Sequence, residues 1–159
     1  MKVAVIGHRK IEKSKELTDK LTELITDLIV NEGADTFLFG SRSQFDDLCY
    51  DIVTQLRYQY AVNRIYVRAE YRKINYKYES YILAYYEDTY YPESVYSGRM
   101  AYVERNQVLV DMCDVLIVYL DPDYKNRTAK SGTLTAVEYA NKKRKRVINT
   151  FELLKINAK

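Results

Sequence analysis

Val115-Leu116-Ile117-Val118-Tyr119-Leu120-Asp121-Pro122 is the most continuous apolar run in the chain, and beyond a polar loop it is followed by Lys130-Ser131-Gly132-Thr133. An apolar run closed by Asp-Pro, then a Ser-Gly-Thr turn into apolar-periodic sequence, reads as strand, loop and helix N-terminus. Unpaired backbone N–H groups and the positive end of a helix dipole meet at such a junction, which suits a phosphate or a carboxylate. The unbroken apolar character of residues 114 to 120 also predicts the centre of a sheet covered on both faces.

Working outward, Lys2 to Ile6 is a second strand signal that ends on Gly7-His8-Arg9. From Glu12 to Asn31, Leu17, Leu21, Leu24, Ile25, Leu28 and Ile29 recur at helical spacing, and Gly33 is placed to stop the helix. Asp35 to Phe39 is a strand ending on Gly40-Ser41-Arg42. Ser43 is positioned as the N-cap of the next helix, with Asp46 and Asp47 in its first turn. Asn63 to Arg68 reads as a strand, Tyr78 to Thr89 as a short helix, and Gly98 to Met112 and Gly132 to Lys143 as helices. Arg146 to Asn149 reads as the last strand. Strands alternating with helices predict an α/β, Rossmann-like three-layer sandwich with a parallel sheet of about five strands in the order 3-2-1-4-5. One domain is expected over residues 1–159, with a Tyr-rich helical insert at about 69–97.

The composition narrows the partners. A net charge of +3 arises from 25 basic and 22 acidic residues, which is not the dense basic footprint of a dedicated nucleic-acid binder. Lys142 to Arg146 reads either as a basic patch or as cations complementing a helix C-terminus, and the second reading is preferred. Cys49 and Cys113 sit in apolar segments without metal-ligand spacing, so buried thiols are expected, with no metal and no disulfide. The chain opens on a strand with no leader and carries no long apolar run, which predicts a cytoplasmic protein with no membrane contact. Seventeen tyrosines and no tryptophan are present. Those between Tyr58 and Tyr102 read as a lid or a homo-oligomer interface, or else as a base-stacking surface.

In the expected order, the first and fourth strands are neighbours at a switch point, and ligands bind there beyond the carboxyl ends of the strands. Gly7, His8 and Arg9 then face Asp121 and the Ser131-Gly132-Thr133 turn, with Gly40, Ser41 and Arg42 one strand further on. The three glycines are expected to let backbone approach a ligand, and Arg9 and Arg42 to offer planar donors. His8 has three readings: ligand contact, proton transfer, or a structural turn. Arg105 and Asn106 either reach the same crevice or remain solvated. Asp46 and Asp47 read as helix-start acids, with contact to a ligand hydroxyl the lesser alternative.

The Gly7-His8-Arg9 turn, Gly40-Ser41-Arg42 with Phe45-Asp46, Arg105-Asn106 ahead of Asp111 to Asp114, and Ser131-Gly132-Thr133 ahead of Glu138-Tyr139-Ala140 resemble the SLOG superfamily, which includes LOG- and DprA-type proteins. The resemblance is nearest to its YpsA-like branch, the DUF1273 type. It spans the sheet but not the insert, and implies a nucleotide or nucleotide-derived ligand, an NAD-derived metabolite among them, with phosphate on the Gly-Thr turn. LOG-type relatives cleave the N-glycosidic bond of nucleoside monophosphates with an arginine, which Arg105 would match, and a glutamate. Here Ala136 stands at the glutamate's position. Glu138 is rotated from it by about 200°. A sensor or regulatory binder of a small phosphorylated ligand is the resulting expectation. The alternatives are an N-glycoside hydrolase using Asp121, Asp46 or Glu138, and a nucleic-acid module.

Overall fold

A computed structural model describes residues 1–69, 76–90, 92, 98–124 and 131–157. Six parallel strands lie in the order β4-β3-β2-β1-β5-β6, where β1 is Lys2–Gly7, β2 Thr36–Phe39, β3 Asn63–Val67, β4 Asp88–Tyr90, β5 Val115–Tyr119 and β6 Arg146–Asn149. The five expected strands keep their expected order. The sixth, β4, extends the sheet beyond β3 and falls where one helix was expected over Tyr78 to Thr89. That segment divides into α3 (Tyr76–Leu83), a turn, and β4. With only three residues, β4 is too short for alternation to register as a period. The rest of the tyrosine-rich segment, 70–75, 91 and 93–97, lies outside the described residues, as does the loop 125–130 with Lys130.

Helices α1 (Lys15–Glu32), α2 (Gln44–Leu56) and α6 (Thr150–Asn157) cover one face of the sheet, packing Leu17, Leu21, Phe45 and Phe151 against Val3, Val5, Phe37 and Ile117. On the other face, α4 (Arg99–Met112) and α5 (Gly132–Lys142) pack Leu109, Val110, Ala136 and Ala140 against Ala4, Leu38, Leu116 and Val118. All five residues of β5 are buried, yet β5 is second from the sheet edge. Cover from both layers, not a central position, explains its apolar run. Helix α6 was not anticipated. Its first residue, Thr150, is fully buried and donates its hydroxyl to the Val118 carbonyl at 2.8 Å.

The local stop and start signals operate as chemistry requires. Ser14, Ser43 and Ser131 cap α1, α2 and α5 by accepting from Leu17, Asp46 and Leu134 N–H groups. Gly33 ends α1 in the left-handed conformation at φ 77°. Among the described residues, no helix is long and apolar enough to cross a membrane.

Arg144 closes α5 at φ 58°, a conformation glycine adopts without cost and other L-residues do not. The Lys145 N–H reaches back to the Ala140 carbonyl at 2.9 Å across this residue, as in a glycine-type helix stop. Arg144→Gly is therefore expected to raise stability by about 0.5–1 kcal/mol. A lower denaturant midpoint for this variant would contradict the reading.

Candidate functional site

The strand order reverses between β1 and β5, where Gly7 pairs with Tyr119. Beyond their carboxyl ends opens a cleft of ≈ 710 Å³. Gly7, His8 and Arg9 from the end of β1, Gly40, Ser41 and Arg42 from the end of β2, Arg105 and Asn106 from α4, and Ser131, Gly132 and Thr133 from the start of α5 all line it. Of the twelve residues singled out in the sequence, Asp121 alone does not. Its backbone N–H donates to His8 Nε2 at 3.0 Å, and its carboxylate accepts from the Asp123 N–H at 2.8 Å. Asp121 thus shapes the loop that holds His8. A second depression follows the outer face of α1 past Asp19, Glu23 and Asp27, and none of the strand ends reaches it.

The three glycines differ in what surrounds them. A Cβ on Gly7 would lie 2.3–2.5 Å from Phe45, and one on Gly40 2.8 Å from Arg105 Cδ and Leu109 Cδ1. At both positions protein packing leaves no room for a Cβ. Gly132 alone of the three faces open space, with Asn106 Nδ2 the nearest atom at 3.9 Å.

Arg105 is 7% exposed and largely committed within the protein. Its Nη1 donates to the Gly40 carbonyl, and Nε and Nη2 donate to Asn106 Oδ1 at 3.3 and 3.2 Å. This fork fixes the Asn106 amide, leaving its NH₂ beside the Gly132 turn. Tyr102 stacks on the Arg105 guanidinium at 5.4 Å, and Tyr81 of α3 on Arg42 at 5.3 Å. Tyr66, Tyr102 and Tyr124 also line the cleft, and sequence reasoning missed them individually. Tyr66 and Tyr102 belong to the conspicuous tyrosine crowd, but nothing in its spacing distinguishes the two that face the site.

His8 is 2% exposed and stacks on Tyr124 at 3.8 Å. Burial lowers its pKa despite the opposing hydrogen bond and charge of Asp121. Because Nε2 accepts from Asp121, the neutral tautomer carries its proton on Nδ1. That buried Nδ1 has no partner among the described residues. Asp46 lies just behind the cleft wall, 2% exposed, accepting from the Ser41 N–H and the Ser43 hydroxyl, both at 3.1 Å. Burial pushes its pKa up to about 7, against the pull of Ser41, Ser43 and Arg105. The helix-start reading of Asp46 therefore omits its burial.

No protein-family model and no curated protein matches the chain. Solved structures do share its fold. DNA processing protein A from Helicobacter pylori, described for its single-stranded DNA binding mode, superposes with a TM-score of 0.59 at 16% identity over 92% of this chain. This chain spans 63% of that protein's length. The molybdenum cofactor carrier protein MCP from Chlamydomonas reinhardtii superposes with a TM-score of 0.54 at 17% identity, covering 92% of this chain and 73% of that one. The Rossmann-like α/β fold is thereby shared.

Two stability predictions follow from the site's packing and charge. Gly7→Ala drives a methyl into Phe45 and is expected to cost about 2–3 kcal/mol, whereas Gly132→Ala, facing space, stays within about 0.5 kcal/mol of the parent. Equal losses in urea unfolding would refute the packing assignment. An unfolded aspartate releases its proton near pH 3.9, but Asp46 holds its own to about pH 7 in the fold. The native state therefore binds more protons in this window, and the Asp46 contribution to stability falls as pH rises from about 4 to 7, by on the order of 4 kcal/mol. His8 acts in the opposite sense, because the unfolded imidazole takes up a proton below about 6.5 while the buried ring resists. The stability of Asp46→Asn relative to the parent isolates the first effect, and should rise between pH 5 and pH 8. A constant difference would dismiss it.

Proposed function

We propose that the cleft binds a nucleotide or nucleotide-derived phosphorylated ligand, and that the protein acts as a sensor or regulator through this binding. The observation that carries the reading is the open start of α5 beside Asn106. Ser131 Oγ caps the Leu134 N–H, and the first N–H groups of an α-helix have no intrahelical acceptor. Those of Gly132 and Thr133 have no partner among the described residues and border the cleft. Oriented N–H groups at a helix start and a fixed amide NH₂ make a donor set for phosphate oxygens. Arg9 and Arg42, both exposed on the rim, add positive charge. Tyr66 and Tyr102 give the remainder of the cleft aromatic faces on which a base can stack.

Binding in preference to hydrolysis is supported by Ala136. It lies one turn below Thr133 on the same face of α5, 3% exposed, and Cβ atoms in a helix tilt toward its N-terminus. A glutamate there would extend toward the cleft, and an alanine stops short. The YpsA-like branch, carried by the motifs alone, is part of the same proposal, as is a cytoplasmic setting.

A thermal-shift series of nucleoside phosphates, NAD and sugar phosphates tests the reading. A ligand present at about 100 times its Kd should stabilise the protein by about 2.7 kcal/mol. Gly132→Asp, which puts a negative charge at the helix start, should abolish that shift while leaving the fold intact. A shift that survives Gly132→Asp would place the anion elsewhere. Release of free base from nucleoside monophosphates, lost in Arg105→Ala, would move the assignment to N-glycoside hydrolysis.

A further inference from the structure

Asp46 is the only buried carboxyl group among the described residues. It stands one hydrogen bond from the cleft, through the N–H of Ser41. The nearby cation, Arg105, acts on it through space, because its N–H groups are directed to Gly40 and Asn106. Ser41 Oγ is buried beside this carboxyl, and the Ser41 and Ser43 hydroxyls favour its ionised form against the effect of burial.

We propose that Asp46 is the proton-linked element of the cleft: an anion bound there drives partial proton uptake from solvent by this carboxyl, and anions bind more tightly as pH falls. This rests on the reading of the cleft as an anion site. The physical cause is mutual repulsion. A second negative charge roughly 10 Å away across a medium of effective dielectric near 20 makes the carboxyl about tenfold easier to protonate. Because burial already holds Asp46 near neutrality, the exchange falls in an accessible pH range.

The groups that face Asp46 do not supply the same response. Arg105, from α4, is a cation that opposes uptake. Cys49, from α2 itself, is kept protonated by burial and then by Asp46. Tyr86, from the turn between α3 and β4, has its phenol pushed up by burial, with Tyr66, Tyr50 and Asp46 adding to this and Arg42 opposing it. His8, lining the same cleft, is the competing titrating group and must be separated by experiment.

NAD and sulfate keep constant charge between pH 6 and 8, so calorimetric titration with each reads the protein's own protons. The parent should bind about fivefold more tightly at pH 6 than at pH 8 and take up roughly half a proton per ligand near pH 7.5. Asp46→Asn should bind at both pH values with the parent's pH 6 affinity. Parent affinity that does not change with pH overturns the proposal, as does a pH dependence that persists in Asp46→Asn. Either result leaves the ligand reading standing. Failure of both NAD and sulfate to bind at either pH overturns the ligand reading, and the proton linkage falls with it. Should Asp46→Asn not fold, proton uptake in two buffers of different ionisation enthalpy decides between the groups. Uptake that persists in His8→Gln supports Asp46, and uptake absent from the parent or lost in His8→Gln refutes it.

Discussion

The seat of Phe45 on Gly7 is the contact on which the site depends. A ring can lie where a Cβ would be 2.3–2.5 Å away only if residue 7 has no side chain, and Phe45 is fully buried there. With the ring so placed, the first turn of α2 is brought onto the end of β1. The Gln44 N–H then bonds the Arg9 carbonyl at 2.9 Å, and the Gln44 side chain accepts from the Ile11 N–H at 2.9 Å. The loop after β1 is thereby tied to the helix that carries Ser43 and Asp46. His8 and Ser41 become walls of one cleft because two strand ends and a helix start share this junction.

The outer half of the sheet is fastened by a different kind of force. Arg64 on β3 is 7% exposed and gives Nε and Nη2 to Glu87 at 3.1 and 2.9 Å, while its backbone N–H bonds the same carboxylate at 2.6 Å. Its Nη1 reaches Tyr50 and Thr54 of α2 at 3.1 and 2.8 Å. Although partial burial pushes the other way, the hydrogen bonds and charge of Arg64, with the charge of Arg57, hold the Glu87 carboxyl below its usual pKa. Satisfaction of both the fork and the carboxylate is what makes such a group tolerable inside a protein. It locks the residue preceding β4 to β3 and α2, so a three-residue edge strand persists with little apolar area of its own. Ile82, 1% exposed, pins α3 beside it.

Much of this was legible because it is periodic or local. The helical spacing from Leu17 to Ile29, the serine caps and the strand ends at Gly7 and Gly40 are written in neighbouring residues, and the switch point follows from their order. What escaped depends on partners remote in sequence. The strand at Asp88–Tyr90 exists through its register with Ile65–Val67 and the Glu87 ion pair. The burial of Asp46 arises from layers that meet only after folding. Gly7 was read for backbone approach to a ligand, and the packing reason for a glycine there, a ring 38 residues away in the chain, was not visible. A glycine at a strand end is the same letter in either case, and only the tertiary neighbour decides which.

The same consideration bears on the charges around the cleft. Arg9 is exposed and screened by salt, whereas Arg42, though also exposed, lies against the Tyr81 ring. The directed donors are few and fixed: the start of α5 and the Asn106 amide held by Arg105. Arg105, which the sequence presents as a ligand contact, spends three of its N–H groups on Gly40 and Asn106. Its main effect is to aim an amide and to tie α4 to the end of β2. Specificity in such a site arises from groups that cannot rearrange, because a donor already held in place loses little entropy on meeting its acceptor. On the proposed reading of the cleft, the neutral groups Asn106 and the Gly132 turn would decide what it admits more than the arginines that draw the eye in the sequence.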